Sequence, residues 1–521
     1  MAVVDVTLCW QQQSGRKCPL TTRVTTTSVS LSARDTTDAA VRMALARGVA
    51  KSSTMSRRRS PPPSDLQRLE AVLRDPSTHA QAEAIPEKKT GRPRAYPAYM
   101  WVVFEAAVSI WGSARNVEAQ FADRRVWRFA RHTIKGLFPN EPFEWLPETP
   151  KRRCHYLYAR RYLADPDVLE RRREIFMAHA VPLAHSIGLL EPDGPGSLTY
   201  PNLSRMVHGD GKVIEPLLKG KRNETRRDRR TGELVPVRCD PDASNHVEGD
   251  GEEVYGTKFL IVSARSSEHR VVLDTRYVPF AGEGGEAGVA LRSFASIAPQ
   301  APGVIGVVWD MALRGVHIDR AMRELGWLTV TRVPAKRNYA RRGQRGGRRI
   351  ERERLIELKN VKRDDGEEVT IRLLAKNGAL GIGVLQDNGE TQFVPLKRIR
   401  TQRQKDKAAF RFYNQYEMPK EYATREITVR LHNSAEEEAR RLNRAENLRA
   451  IPPGDPDFGR LYARRADAES LNRNLEDSLY LKKAHSLGHL RQEADLLGFA
   501  QLVNSIMLAR HRARERLKQA A

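Results

Sequence analysis

Three scarcities bound this chain before any motif is considered. Long apolar runs are missing: no stretch approaches the roughly 20 apolar residues that span a bilayer as a helix, so no membrane partner is expected. The N-terminus also lacks an apolar core followed by a small-residue cleavage site, so it does not read as a secretory leader. Cysteine is sparse. Cys9, Cys18, Cys154 and Cys239 stand apart without metal-ligand spacing, which excludes a disulfide scaffold and reads as free thiols in a reducing cytosol. Acid is short relative to base. Of 521 residues, 89 are Lys or Arg and 64 are Asp or Glu, a formal net charge of +25. Such a surplus repels itself unless a polyanion neutralises it, and the usual polyanions are nucleic acid and anionic membrane. RNA-binding proteins share the trait, so charge alone does not choose DNA.

What is present supports folding: 40% hydrophobic and 29% charged residues in a chain long enough for about three domains. Residues 1–60 are rich in Thr, Ser and Arg and run into Arg57-Arg58-Arg59-Ser60-Pro61-Pro62-Pro63, so they read as a disordered extension, with Met55 an alternative start. Residues 61–192 read as a helical, DNA-binding domain. A capping box at Ser64 and Gln67 opens it. Three short helices follow near Tyr99–Val108, Ala114–Phe121 and Val126–Phe138, with basic decoration at Arg115, Arg124, Arg125, Arg128, Arg131 and Lys135. This suits a helix-turn-helix-like module; a plain helical bundle with solvated charges fits the same pattern.

Beyond the loop Pro192-Asp193-Gly194-Pro195-Gly196 the texture turns to strands. Residues 198–335 read as three strands, a helix, a strand, a helix and a strand. The strands are placed at Met206–Ile214, Phe259–Ser263, Val271–Thr275, Gly303–Trp309 and Leu328–Val333, and the helices at Ala287–Ile297 and Gly315–Leu325. That order predicts an α/β fold, a mixed sheet with helices on its faces. Residues 336–455 read as a basic, β-rich insertion: 335–363 holds 12 Lys or Arg against 3 Glu, and Asp387-Asn388-Gly389 signals a hairpin. Its interleaved aromatic and basic residues could clamp nucleic acid; a self-contained structural subdomain is the alternative. Residues 456–521 return to helix, at Leu461–Ser478 and from Leu490 to a basic end near Lys518.

Asp310 stands at the end of an apolar strand and Asp210 towards the end of another. Cutting a phosphodiester calls for an activated oxygen nucleophile and a stabilised leaving oxygen, and two divalent cations held by about three convergent carboxylates supply both. Lone strand-end Asp residues are, however, more often caps, and Asp240 and Asp242 compete with Asp210 for the role.

These segments resemble the transposases of bacterial insertion sequences in the DDE, ribonuclease-H-like superfamily. The matching runs are Val207-His208-Gly209-Asp210-Gly211, Tyr255-Gly256-Thr257-Lys258-Phe259 and Val308-Trp309-Asp310-Met311-Ala312-Leu313-Arg314-Gly315, followed by Tyr462, Arg465 and Glu469. The last three have the spacing of a cut-and-paste subgroup that carries Tyr-x2-Arg-x3-Glu-x6-Lys on one helix face. The resemblance implies a ribonuclease-H-like catalytic domain in which Asp210, Asp310 and Glu469 are catalytic and hold Mg²⁺, with Mn²⁺ as an alternative. It implies DNA contacts by Tyr462 and Arg465, with Arg473 or Lys482 in place of the expected Lys. The basic residues Lys336, Arg337, Arg341 and Arg342 of the insertion would grip the backbone. It further implies an enzyme that cuts transposon ends at terminal inverted repeats and joins them to target DNA, as a homodimer on DNA, in the bacterial cytoplasm at the nucleoid. The expected Lys is Glu476 here, the loop after Asp310 lacks an Arg-Gly-aromatic run, and no Trp lies within 337–455 to stack on a flipped base. A catalytically silent or nuclease-only DNA binder of the same fold, and a basic RNA-binding protein, remain alternatives.

Overall fold

The computed structural model describes residues 62–86, 96–140, 146, 148, 154–247, 253–266, 268–334, 336–338, 348–350, 353–387, 389–440, 442–480 and 483–521. The extension expected over 1–60 lies outside them.

Seven helices come first: α1 (Asp65–Leu73), α2 (Pro76–Glu83), α3 (Ala98–Trp111), α4 (Ala114–Ala122), α5 (Arg124–Leu137), α6 (Cys154–Leu163) and α7 (Pro166–Ser186). Their boundaries follow local chemistry. Ser64 and Gln67 form the reciprocal capping box at α1: the Ser64 N–H donates to Gln67 Oε1 at 2.8 Å and the Gln67 N–H to Ser64 Oγ at 3.3 Å. Helix α3 is apolar nearly all round and accordingly buried. It stops at Gly112, whose φ of 77° lies in the left-handed region that favours glycine.

The central sheet is built from β1 (Met206–Ile214), β4 (Ser244–Val247), β5 (Glu253–Arg265), β6 (Arg270–Val278), β7 (Gly306–Val308) and β8 (Leu328–Val330); the short hairpin β2 (Thr225–Arg227) and β3 (Leu234–Pro236) stands apart. Its lateral order is β6-β5-β1-β7-β8, with β4 on the first residues of β5. Strand β5 runs antiparallel to β1 and β6, while β1, β7 and β8 are mutually parallel. Helix α8 (Gly285–Ile297) links β6 to β7, and α9 (Gly315–Leu325) links β7 to β8. The architecture is mixed α/β, as the sequence pattern predicts. Strand β7 is shorter than the apolar run around it, because β1 pairs with it only through Met206–His208. Strands β2, β3 and β4 carry little apolar signal and are absent from the sequence reading.

The stretch after β8 is β-rich. It holds the pair β9 (Lys336–Asn338) and β10 (Arg348–Ile350), then a sheet of β11 (Glu353–Lys362), β12 (Glu368–Lys376), β13 (Ala379–Leu385) and β14 (Thr391–Pro395). A three-stranded sheet of β15 (Lys397–Asp406), β16 (Ala409–Glu417) and β17 (Glu426–Arg430) follows. Helices α10 (Ala435–Ala439), α11 (Arg444–Asn447), α12 (Pro456–Tyr462), α13 (Arg465–Leu475) and α14 (His489–Ala520) complete the chain. The single helix expected over Leu461–Ser478 is two, broken at Ala463-Arg464, and a π-helical turn at Glu476–Tyr480 follows. Tyr462 and Arg465 therefore belong to different helices.

Helix α14 ties the N-terminal helices to the sheet, and residues from Pro63 onward form one compact unit. Asn504 brackets the β6 backbone, accepting from the Val272 N–H at 2.9 Å and donating to its carbonyl at 2.8 Å. Gln501 and Ser505 donate to Asp75 at 2.9 and 2.7 Å. Arg173 on α7 reaches Glu493 at 2.6 Å, and Arg160 on α6 reaches Asp495 at 2.5 Å. Among the described residues no helix is long and apolar enough to cross a membrane.

Candidate active site

The site forms where two parallel strands part. His208 on β1 is the last residue paired with β7, opposite Val308. Asp210 and Asp310 each stand two residues beyond that pair, so the register brings the two acids level at the carboxyl end of β7, where ligands of α/β sheets sit. Alternation along β1 places His208, Asp210 and Lys212 on one face and Gly209 and Gly211 on the other.

Both glycines are needed for space. A Cβ on Gly209 would lie 2.6 Å from the Trp309 ring, and one on Gly211 would lie 2.5 Å from Glu286 Oε2. The bare backbone at Gly211 lets a carboxylate from the opposite face approach Asp210. That carboxylate, Glu286, sits in the first turn of α8, where the helix dipole favours an anion. The turn before it, Gly282-Glu283-Gly284-Gly285, has positive φ at all four residues. Glu286 is held by Lys258 Nζ at 2.6 Å from Oε2 and by the Trp309 indole N–H, 3.3 Å from Oε1.

Asp210, Glu286 and Asp310 each present an oxygen within 4.8 Å of the others. All three side chains are partly buried. Among the described residues neither Asp has an ion-pair partner. Burial, then the charges of Glu286 and Asp310, push the Asp210 carboxyl up to about 7. Burial and Glu286 also raise Asp310, against the Ala312 N–H that donates to its Oδ1 at 2.8 Å. Asn472 on α13 donates to Asp210 Oδ2 at 3.3 Å. This donor set, hard carboxylate oxygens converging on one point with too little positive charge, fits a divalent cation of the Mg²⁺ type.

The remaining sequence candidates are placed as follows. Glu469 lies on α13, three residues before Asn472, but its half-exposed carboxylate holds Arg465 Nη1 at 2.7 Å and is not one of the three converging acids. Arg465 is drawn by the charges of Asp210, Glu469 and Asp310, which outweigh its partial burial and raise its pKa. Tyr462 stacks on Phe458, with ring centroids 4.9 Å apart, under the Arg332 guanidinium. Arg473 is exposed, 3.9 Å from Asp477. Lys336 and Arg337 lie on β9 with side chains outside the described residues, as are Arg341, Arg342 and Lys482 altogether. Glu476 pairs with Lys212 at 2.6 Å, so where a Lys was expected on the helix, the cation stands on β1 instead. His208 is buried beside Ser263 at 3.2 Å, and burial pushes its pKa down to about 3, which keeps it neutral and structural.

Asp240 and Asp242 are caps. Asp240 accepts from Gln492 Nε2 at 2.8 Å and Asp242 from the His489 N–H at 2.8 Å, at the start of α14. Sequence reasoning missed Glu286, because it began that helix at Ala287. The available signal was an acid in a first helical turn after a glycine-rich loop.

No family model and no curated protein matches this sequence. Among solved structures, the chain is similar to a piggyBac transposase in a synaptic complex with hairpin DNA. The TM-score is 0.32 and the identity 10%, over 87% of this chain and 77% of that one, a likeness too slight to bear on fold or activity.

Proposed function

We propose that the chain is a metal-dependent DNA transposase with a ribonuclease-H-like catalytic domain. The convergence of Asp210, Glu286 and Asp310 carries this reading. Two further features support it: the sheet order, with three parallel strands flanked by an antiparallel pair and helices α8 and α9 as links, and the motif resemblance around Asp210, Asp310 and Glu469.

Asp210 and Asp310 are assigned as metal-holding catalytic residues, with Glu286 completing the trio. Glu469 is assigned as a fourth acid, now engaged by Arg465. Divalent cations of the Mg²⁺ type, or Mn²⁺, would supply activation of the attacking oxygen and charge neutralisation at the phosphate. The protein's own groups do the rest. Arg465 turns its guanidinium to a phosphate and frees the Glu469 carboxylate. Tyr462 shapes the entrance beside it. Lys258 and Trp309 hold Glu286 in place, and Asn472 fixes the Asp210 rotamer. The substrate is DNA: transposon ends and target, bound by a pair of subunits, in the bacterial cytoplasm at the nucleoid.

The test is Mg²⁺-dependent cleavage and strand transfer by wild type and by Asp310→Asn. The variant should lose about three orders of magnitude in rate, equivalent to roughly 4 kcal/mol of barrier, while keeping its fold. Undiminished activity would sink the assignment.

A further inference from the structure

A second charged region lies far along the chain from these acids, on helix α5. Arg124, Arg128, Arg131 and Lys135 follow one another at steps of four, three and four, so they share one helix face. That face lines a cleft of about 810 Å³, together with Trp127, His132 and Glu148. The stripe extends along the helix for about 16 Å, at 1.5 Å per residue.

Among the described residues, Arg124, Arg128 and Arg131 have no ion-pair partner, and Glu148 is the one acid lining the cleft. Arg124 and Arg128 are exposed. Arg131 is half-buried, and its Nε is shielded from solvent without a hydrogen-bond partner. A buried guanidinium N–H without an acceptor is costly, and arginine's planar donors match phosphate oxygens in pairs.

The shape narrows the ligand. A small anion needs cations aimed at one point, whereas these are strung along an axis. Single strands are gripped by exposed aromatic faces on which bases stack, but among the described residues Trp127, the one Trp, Tyr or Phe lining this cleft, is 3% exposed and packs edge-on against Phe121. A row of cations beside a buried indole suits the outside of a double helix, where phosphates fix position and bases stay stacked. Duplex DNA carries a charge every ~1.7 Å of axis, so a stripe this long faces roughly ten phosphate charges.

We infer that the α5 cleft, through Arg124, Arg128 and Arg131, binds the phosphodiester backbone of duplex DNA. The choice of DNA over RNA rests on the proposed function; the cleft itself does not depend on the acids. The experiment measures binding of the full chain to a short DNA duplex of arbitrary sequence over a range of salt concentrations, in EDTA so that no cleavage occurs. The slope of log affinity against log salt falls by roughly 0.9 for each phosphate that the protein no longer neutralises. The Arg124→Ala, Arg128→Ala, Arg131→Ala triple variant should therefore flatten the slope by nearly three, with affinity down on the order of a hundredfold. Arg128→Glu alone, at an exposed position, should weaken binding without altering the melting temperature. Arg125→Ala is the control, since that side chain is off the cleft and 90% exposed; it should change the slope little. An unchanged slope in the triple variant, or an equal loss in Arg125→Ala, would overturn the inference. So would an RNA duplex that binds as tightly and loses as much. Failure of the metal reading shows separately, as cleavage by Asp310→Asn with binding intact.

Discussion

Two parts of this molecule bury carboxylates, and they treat them oppositely. Between α14 and the N-terminal helices three buried acids each have a cation, Glu105 with Arg172, Glu493 with Arg173 and Asp495 with Arg160, and a fourth, Asp75, is met by the neutral donors Gln501 and Ser505. At the open end of β1 and β7, three acids each bring an oxygen within 4.8 Å of the others, and among the described residues one ion pair, Lys258 to Glu286, serves them all. A balanced buried pair is part of the scaffold, because removing either partner strands the other. An unbalanced cluster costs folding free energy, and such imbalance concentrates where charge must later be met by a ligand. Buried Asp75 and Asp240 also lack a cation, but neutral donors meet them, whereas at the sheet end acids face acids.

The sharpest way to break this comparison lies on the balanced side. Glu105→Ala would leave the Arg172 guanidinium, whose side chain is 0% exposed, without its partner. The expected loss is about 3–5 kcal/mol of stability, read from chemical denaturation, and a loss well under that would mean the pairs are not what holds these helices down. The unbalanced side should respond with the opposite sign. Asp210 in the folded chain holds its proton up to about pH 7, against an ordinary carboxyl value of 3.8. Between those limits the unfolded chain has released the proton and the folded chain has not, so stability falls as pH rises through this window and stays lower above it. Asp210→Asn removes that penalty. Without metal, at pH 8, the variant should be more stable than wild type by on the order of 2 kcal/mol, and near pH 3 the two should melt together. A less stable Asn variant at pH 8 would place Asp210 among the structural acids.

Much of this was legible in the sequence, and the reasons differ by region. A continuous apolar run located the strand before Asp310, and helical patterning the helix Gly315–Leu325. Asp310 stands out as the end of an apolar run, but it is the motif resemblance that singles out Asp210 and Asp310 over ordinary strand-end caps. Three things could not be read. Strands β2 to β4 are short and mostly exposed, so no hydrophobic period marks them. The break at Ala463-Arg464 contains neither Gly nor Pro, and it separates Tyr462 from the helix of Arg465 and Glu469. Glu286 is a third kind of miss. Its approach to Asp210 depends on the missing side chain at Gly211, 75 residues earlier in the chain, and no local pattern reports a contact of that range.

Glu286 and Glu469 therefore pose the finest test, since the geometry favours the first and the motif spacing the second. In the DNA-free protein Glu286 faces the two aspartates, whereas Glu469 is spent on Arg465 at 2.7 Å and is 54% exposed. Glu286→Gln keeps the size of the side chain and removes its charge. It should weaken Mg²⁺ binding to the DNA-free chain about tenfold, near 1.4 kcal/mol, by calorimetry. Glu469→Gln should leave that affinity alone and act only once DNA is present, as slower cleavage, because its carboxylate becomes free when Arg465 finds a phosphate. If Glu469→Gln weakens metal binding without DNA and Glu286→Gln does not, the trio is a consequence of packing between α8 and β1, and the helix α13 acid is the true third ligand.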